Sequence, residues 1–169
     1  MVAEIETLLV EESAAKLEQT LRALQDAGIH TVFHASDPRL AREYLLSDIS
    51  SSVGHIQLVI LELLIPQSDR LELLTELKRD QRTHSIPSIV LGDFDKPRDI
   101  ARCYACGANI VIRRPHDDAK LVEKARAIAN WYLSRTRERT SAHRIVVAQT
   151  PELEPAGDDT LAGAVGTAY

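Results

Sequence analysis

Apolar residues fall along this chain in two rhythms. Short unbroken runs at Thr7 to Val10, Thr31 to Phe33, Leu58 to Leu61, Ser88 to Leu91 and Ile110 to Ile112 have the length of strands buried on both faces. Between them, apolar positions return at the three-and-four spacing of amphipathic helices. Leu17, Leu21 and Leu24 mark the first helix, with Gly28 as its left-handed stop. Asp37 and Pro38 open the second as N-cap acid and first-turn proline, and Leu40, Tyr44 and Leu45 turn inward. Leu71, Leu74 and Leu77 mark a third, and a fourth starts near Pro97 and ends at Gly107. The fifth opens at Asp117 or Asp118, places Leu121, Ala125, Ile128 and Tyr132 on one stripe, and runs on toward Arg137. Five strand-helix alternations predict an α/β fold, a doubly wound, five-stranded parallel sheet with helices on both faces.

After Arg139 the composition shifts to Thr, Ala, Gly, Pro and Asp, with one apolar patch at Ile145 to Val147. Residues 1–139 are therefore expected to form one domain and residues 140–169 a mostly irregular tail. A total of 169 residues suits a single core with a tail left over. Apolar residues make up 44% and charged residues 27%, the balance of an ordinary globular chain. No apolar run approaches the roughly 18 residues of a membrane span, and no secretion signal opens the chain, so a cytoplasmic location is expected. A net charge of -5 argues against general affinity for nucleic acid.

Several other signals are bland. Cys103 and Cys106 form a C-x-x-C near the end of a helix, where the dipole has the wrong sign to activate a thiol, so packing is expected. The six histidines show no metal-ligand spacing. Neither Gly-rich nucleotide motif is present. Arg135, Arg137 and Arg139 read as a solvated helix end.

The chemistry lies at the strand ends, where ligands of doubly wound sheets bind. Glu11 and Glu12 follow the first strand, Glu62 the third, Gly92 the fourth, and Arg113, Arg114 and Pro115 the fifth. Within LVILELLIP, Glu62 is a lone acid in an apolar run, a costly placement unless it leaves the strand into a polar cleft. Three acids and an arginine pair are expected to meet there, with Glu62 paired and hydrated.

These stretches carry a resemblance. LLVEES, LVILELLIP, THSIPSIVL and GANIVIRRP are similar, from about residue 6 to 134, to a response-regulator receiver domain, and most of all to the single-domain kind that partners phytochrome kinases. The resemblance implies a flavodoxin-like sheet of order 2-1-3-4-5 with five helices. It also implies magnesium held by an acidic pair and an aspartate, a phosphoryl group accepted by that aspartate from a histidine kinase, and contacts from a hydroxyl and a lysine. Carried onto this chain, the acidic pair is Glu11 and Glu12. The phospho-acceptor position is Glu62, and the switch positions are Gly92 for the hydroxyl, Arg114 for the lysine and Val111 for the aromatic. A glycine after the third strand is replaced by Arg70.

Glutamate carries its carboxylate about 1.5 Å further than aspartate, one carbon–carbon bond, and a misplacement near 1 Å can cost about a hundredfold in rate. Arginine suits a bidentate pair with a carboxylate, so Glu62 and Arg114 are expected to form an ion pair within about 4 Å. The expected function is that of an atypical single-domain response regulator in a two-component phosphorelay. It is not an enzyme and uses no cofactor, with Glu11, Glu12 and Glu62 as candidate ligands should Mg2+ bind. It would act by contact with a sensor histidine kinase of phytochrome type, or as a homodimer through the fourth and fifth helices or the tail, and not with nucleic acid or membrane. With about thirty residues after the domain, no output module is expected. Trp131, off the Leu121 stripe, is a candidate interface anchor, and Arg144 to Gln149 could add as a strand to a partner. The alternative is a conventional receiver that uses Mg2+ and shuttles phosphate.

Overall fold

The structure is a computed structural model that describes residues 4–46, 55–64 and 69–148, with side chains to residue 137. Strands β1 (Thr7–Val10), β2 (Val32–Ala35), β3 (Leu58–Leu63), β4 (Ser88–Gly92) and β5 (Ile110–Arg113) alternate with helices α1 (Ala14–Asp26), α2 (Pro38–Leu46), α3 (Asp69–Arg79), α4 (Pro97–Ala105) and α5 (Asp118–Ala148). Every pairing is parallel and the sheet order is β2-β1-β3-β4-β5. This is the expected flavodoxin-like arrangement of five strands and five helices.

Local signals place the helices. Asp37 Oδ1 accepts the Leu40 N–H at 2.8 Å and Asp117 Oδ1 accepts the Lys120 N–H at 3.0 Å, so each acid satisfies a donor left free at a helix start. Gly28 (φ 91°) and Gly107 (φ 107°) take the left-handed conformation after α1 and α4. At Gly107 a side chain would also meet Lys78 Cγ at 2.5 Å, and Lys78 is tethered by its Nζ to the Ile86 carbonyl and Asn109.

The central strand β3 is buried at all six positions. Val59, Leu61 and Leu63 join Leu8, Val10 and Val90 in one cluster with Ala41, Leu45, Leu73, Leu74, Leu77 and Cys103 from α2, α3 and α4. Side chains alternate along a strand, so Leu58, Ile60 and Glu62 face the other way. That alternation aims Glu62 toward α1. No helix among the described residues is long and apolar enough to cross a membrane.

The strands run further than their apolar runs. Glu62, Gly92 and Arg113 were expected just beyond β3, β4 and β5, but each lies within its strand, because the backbone ladder continues through Leu63↔Gly92 and Gly92↔Arg113. The chain divides into two compact units, residues 1–131 and residues 132–169. The first contains the whole sheet. In the second, helix continues to Ala148, past the expected boundary at Arg139. Residues 118–148 contain no Gly or Pro, and the first helix breaker is Pro151. Residues 140–148, expected to be irregular, and Arg144 to Ala148 within them, read as a candidate added strand, are therefore helical. Gln149 and the rest of the tail lie outside the described residues.

Candidate functional site

Glu62 is fully buried, 0% exposed, rather than hydrated in an open cleft. Arg114 reaches it from the residue after β5, with Nη1 at 2.7 Å from Glu62 Oε1 and 2.6 Å from Oε2. The ion pair is direct, though not the parallel fork expected of arginine. One nitrogen serves both carboxylate oxygens and also donates to Thr20 Oγ1 at 3.0 Å, while Nη2 donates to Gln19 Oε1 at 3.2 Å and the Lys16 carbonyl at 3.4 Å. Because α1 offers three acceptors to the guanidinium, the fork is divided between β3 and α1.

Two further cations enter the site. Lys16 Nζ lies 3.5 Å from Glu62 Oε1 and 3.8 Å from Asp93 Oδ2. Arg70, 1% exposed, donates Nη1 to the Glu62 backbone carbonyl and Nη2 to Glu12 Oε2 at 3.1 Å. Glu11 is 1% exposed; its Oε1 accepts the Ser13 N–H at 2.6 Å, and its Oε2 is buried without a hydrogen-bond partner.

Burial raises the Glu62 carboxyl to about 8, the neighbouring Glu11 carboxyl adds to the rise, and the Arg114 and Lys16 charges oppose it. Glu12 faces Arg70, and Asp93 faces Lys16.

This donor set does not fit a divalent ion. Mg2+ takes oxygen ligands at about 2.0–2.1 Å in near-octahedral geometry, but both Glu62 oxygens are held by Arg114 and Glu12 is held by Arg70. Among the described residues, no three His, Cys, Asp or Glu side chains group to hold a metal ion. The candidate ligands Glu11, Glu12 and Glu62 are not brought together as such a group.

The other sequence-marked residues fall as follows. A Cβ on Gly92 would collide with the Leu63 carbonyl and approach Phe94 Cζ to 3.1 Å, so the position has no room for a hydroxyl-bearing side chain. Val111 is half-buried, and its N–H donates to the Tyr104 hydroxyl at 3.2 Å, so a ring from α4 covers the place where β5 lacks one. Arg113 is exposed, and only Arg114 of the pair turns into the site. Trp131, expected to be exposed, is half-buried; among the described residues the large ring on the surface is Tyr104, 49% exposed. Cys103 is buried and burial raises its thiol pKa, consistent with packing. Sequence reading missed Lys16 and the inward turn of Arg70. The signal for Lys16 was a cation in the first turn of α1, against the helix dipole and four residues after Glu12.

The sequence profile of the response regulator receiver domain matches residues 7–126. The chain is 27% identical over 131 residues to the probable methanogenesis regulatory protein FilR2 of Methanothrix harundinacea, spanning 77% of this chain and 84% of that protein. It is 27% identical over 121 residues to response regulator Rre1 of Synechocystis, covering 72% of this chain and half of that protein's length. Among solved structures it resembles the phosphorylated cyanobacterial phytochrome response regulator RcpA, with a TM-score of 0.69 and 27% identity over 79% of this chain and 96% of that one.

Proposed function

Because the chain belongs to the response regulator receiver domain family, the signal-receiving module of two-component systems, we propose that it is an atypical cytoplasmic receiver that signals by contact and without accepting phosphate. The observation that carries this reading is the state of the acceptor position. Glu62 is fully buried and both its carboxylate oxygens already bind a guanidinium. Phosphoryl transfer depends on in-line positioning and charge neutralisation, and a nucleophile whose oxygens are both engaged offers neither lone pair freely. The hydroxyl position is Gly92, which has no space for a hydroxyl-bearing side chain.

The partner is a sensor histidine kinase, of phytochrome type by likeness to RcpA, or a second copy of the chain. The surface proposed for it comprises α4, the edge strand β5 and the first part of α5. Tyr104 stands exposed on that surface. Aromatic rings are common anchors of such contacts.

Incubating the full chain with acetyl phosphate and Mg2+ and weighing it intact tests the reading. The expected mass is unchanged. A stoichiometric phosphoryl adduct on Glu62 would establish the conventional, phosphate-shuttling receiver instead.

A further inference from the structure

We propose that the groove between β5 and α5 takes an acidic amphipathic helix of the partner protein rather than a second copy of this chain. The inference rests on the contact reading above, which leaves both partners open. Two adjoining cavities form the groove. One, of about 340 Å³, has Ile110, Ile112 and Ile128 as its floor and the exposed Ala127 on its wall. The other, of about 710 Å³, continues past Lys120 toward His116 in the β5–α5 connection. Arg113 and Lys124 line both. Ile110, Val111 and Ile112 are only half-buried, so apolar surface stays open along the sheet edge.

Charge selects the occupant. Arg113, Lys120 and Lys124 are exposed, and none of them forms an ion pair among the described residues. Of the acids that line the groove, Asp93 is held by Lys16 and Asp117 accepts the Lys120 N–H, which leaves Asp95 against those cations. On a chain of net charge -5 this strip is a local reversal of sign. A second copy docked through the same face brings the same cationic excess, and like charges set against each other oppose that contact. An acidic partner meets no such opposition.

The form of the occupant follows from β5. The Val111 N–H already donates to the Tyr104 hydroxyl at 3.2 Å, so a strand added to this edge finds that donor taken. A helix needs no edge donor. It can lay apolar residues three and four apart on the isoleucine floor while acids on its flanks meet Arg113 and Lys124.

Fluorescence anisotropy on the full chain tests this with labelled synthetic peptides of one length: leucine and glutamate in amphipathic register, the same with glutamine for leucine, and the same with lysine for glutamate. The leucine–glutamate peptide is expected to bind about tenfold tighter than either control, and to lose about tenfold in affinity in the double variant Arg113→Glu/Lys124→Glu. Both substituted positions are exposed, so the core is untouched, and circular dichroism checks the fold. Backbone amide shifts should move at Ile110 to Arg113 and at Lys120 to Ile128. Equal binding of the leucine and glutamine peptides, or unchanged affinity in the double variant, overturns the proposal. So does a wild-type dimer in sedimentation equilibrium that Lys124→Glu dissociates, which would seat a second copy in the groove. No readout involves acetyl phosphate, so failure here leaves the phosphate-free reading of Glu62 standing, and an adduct on Glu62 leaves the groove standing.

Discussion

A Cβ on Gly92 would run into the Leu63 carbonyl across the β3–β4 ladder and into a Phe94 ring that is itself buried. Placing there the hydroxyl that the receiver resemblance implies therefore adds volume where backbone cannot give way. Gly92→Thr is expected to lose about 1–3 kcal/mol in urea unfolding, the usual cost of overpacking, and to gain no acetyl phosphate labelling. A variant as stable as wild type would show that the strands separate more easily than the ladder implies. Glu62 gives a second outcome at this scale. Its raised carboxyl binds a proton in the native state that the unfolded chain, at an ordinary value of 4.5, releases earlier. The sign follows from linkage: the stability this group contributes is fully present below 4.5 and is lost as pH rises through about 8. Urea midpoints should fall across that window for wild type, and Glu62→Gln, which cannot ionise, should flatten the slope. An unchanged slope in Glu62→Gln would show that Glu62 does not carry the pH dependence.

At the scale of elements, the sheet was legible because strand and helix spacing are written in periodicity and five apolar runs identified five strands, while the order of those strands came from the receiver resemblance. Their ends were not. β3 continues through Glu62 to Leu63 and β4 ends on Gly92, because hydrogen bonding across the ladder, rather than apolarity, decides where a strand stops. For the same reason the site was only half visible. The ion pair between Glu62 and Arg114 could be inferred from two substitutions in matching positions, but the capture of Glu12 by Arg70 and of Glu62 by Lys16 depends on helix placement that spacing does not encode. The covering of β5 was likewise hidden. β5 is an edge strand, and edges with open donors invite unwanted pairing. The Tyr104 hydroxyl accepts the Val111 N–H, closing one of those donors. Tyr104→Phe removes the acceptor and keeps the ring. It is expected to cost about 0.5–1.5 kcal/mol, the net worth of one hydrogen bond, and to speed amide exchange at Val111 above all other sheet positions. Unaltered exchange there would mean that water replaces the hydroxyl without loss.

At the scale of the sheet-bearing unit, the Arg114 guanidinium joins three elements that a phosphoryl group and a metal would otherwise have to coordinate. It leaves the end of β5, grips Glu62 in β3 and fastens α1 through Thr20, Gln19 and the Lys16 carbonyl. Its own N–H donates to the Gly92 carbonyl, so the same residue also fixes the end of β4. A staple of this kind holds one arrangement without any ligand, and a ligand without differential affinity for two states shifts nothing. Hydrogen exchange on the full chain should therefore be the same with and without acetyl phosphate and Mg2+. Arg114→Gln keeps a planar donor but cannot span β3 and α1 together, and it leaves Glu62 buried without its cation. Protection should then fall in concert across α1, the end of β3 and the connection from β5 to α5, while the α2–α3 side of the core, built from Leu45, Leu73 and Leu74, keeps its protection. Loosening confined to the residues next to position 114 would show that the guanidinium fills space without coupling the elements. A protection change in the wild type on adding the phosphodonor would show that a second state lies within reach.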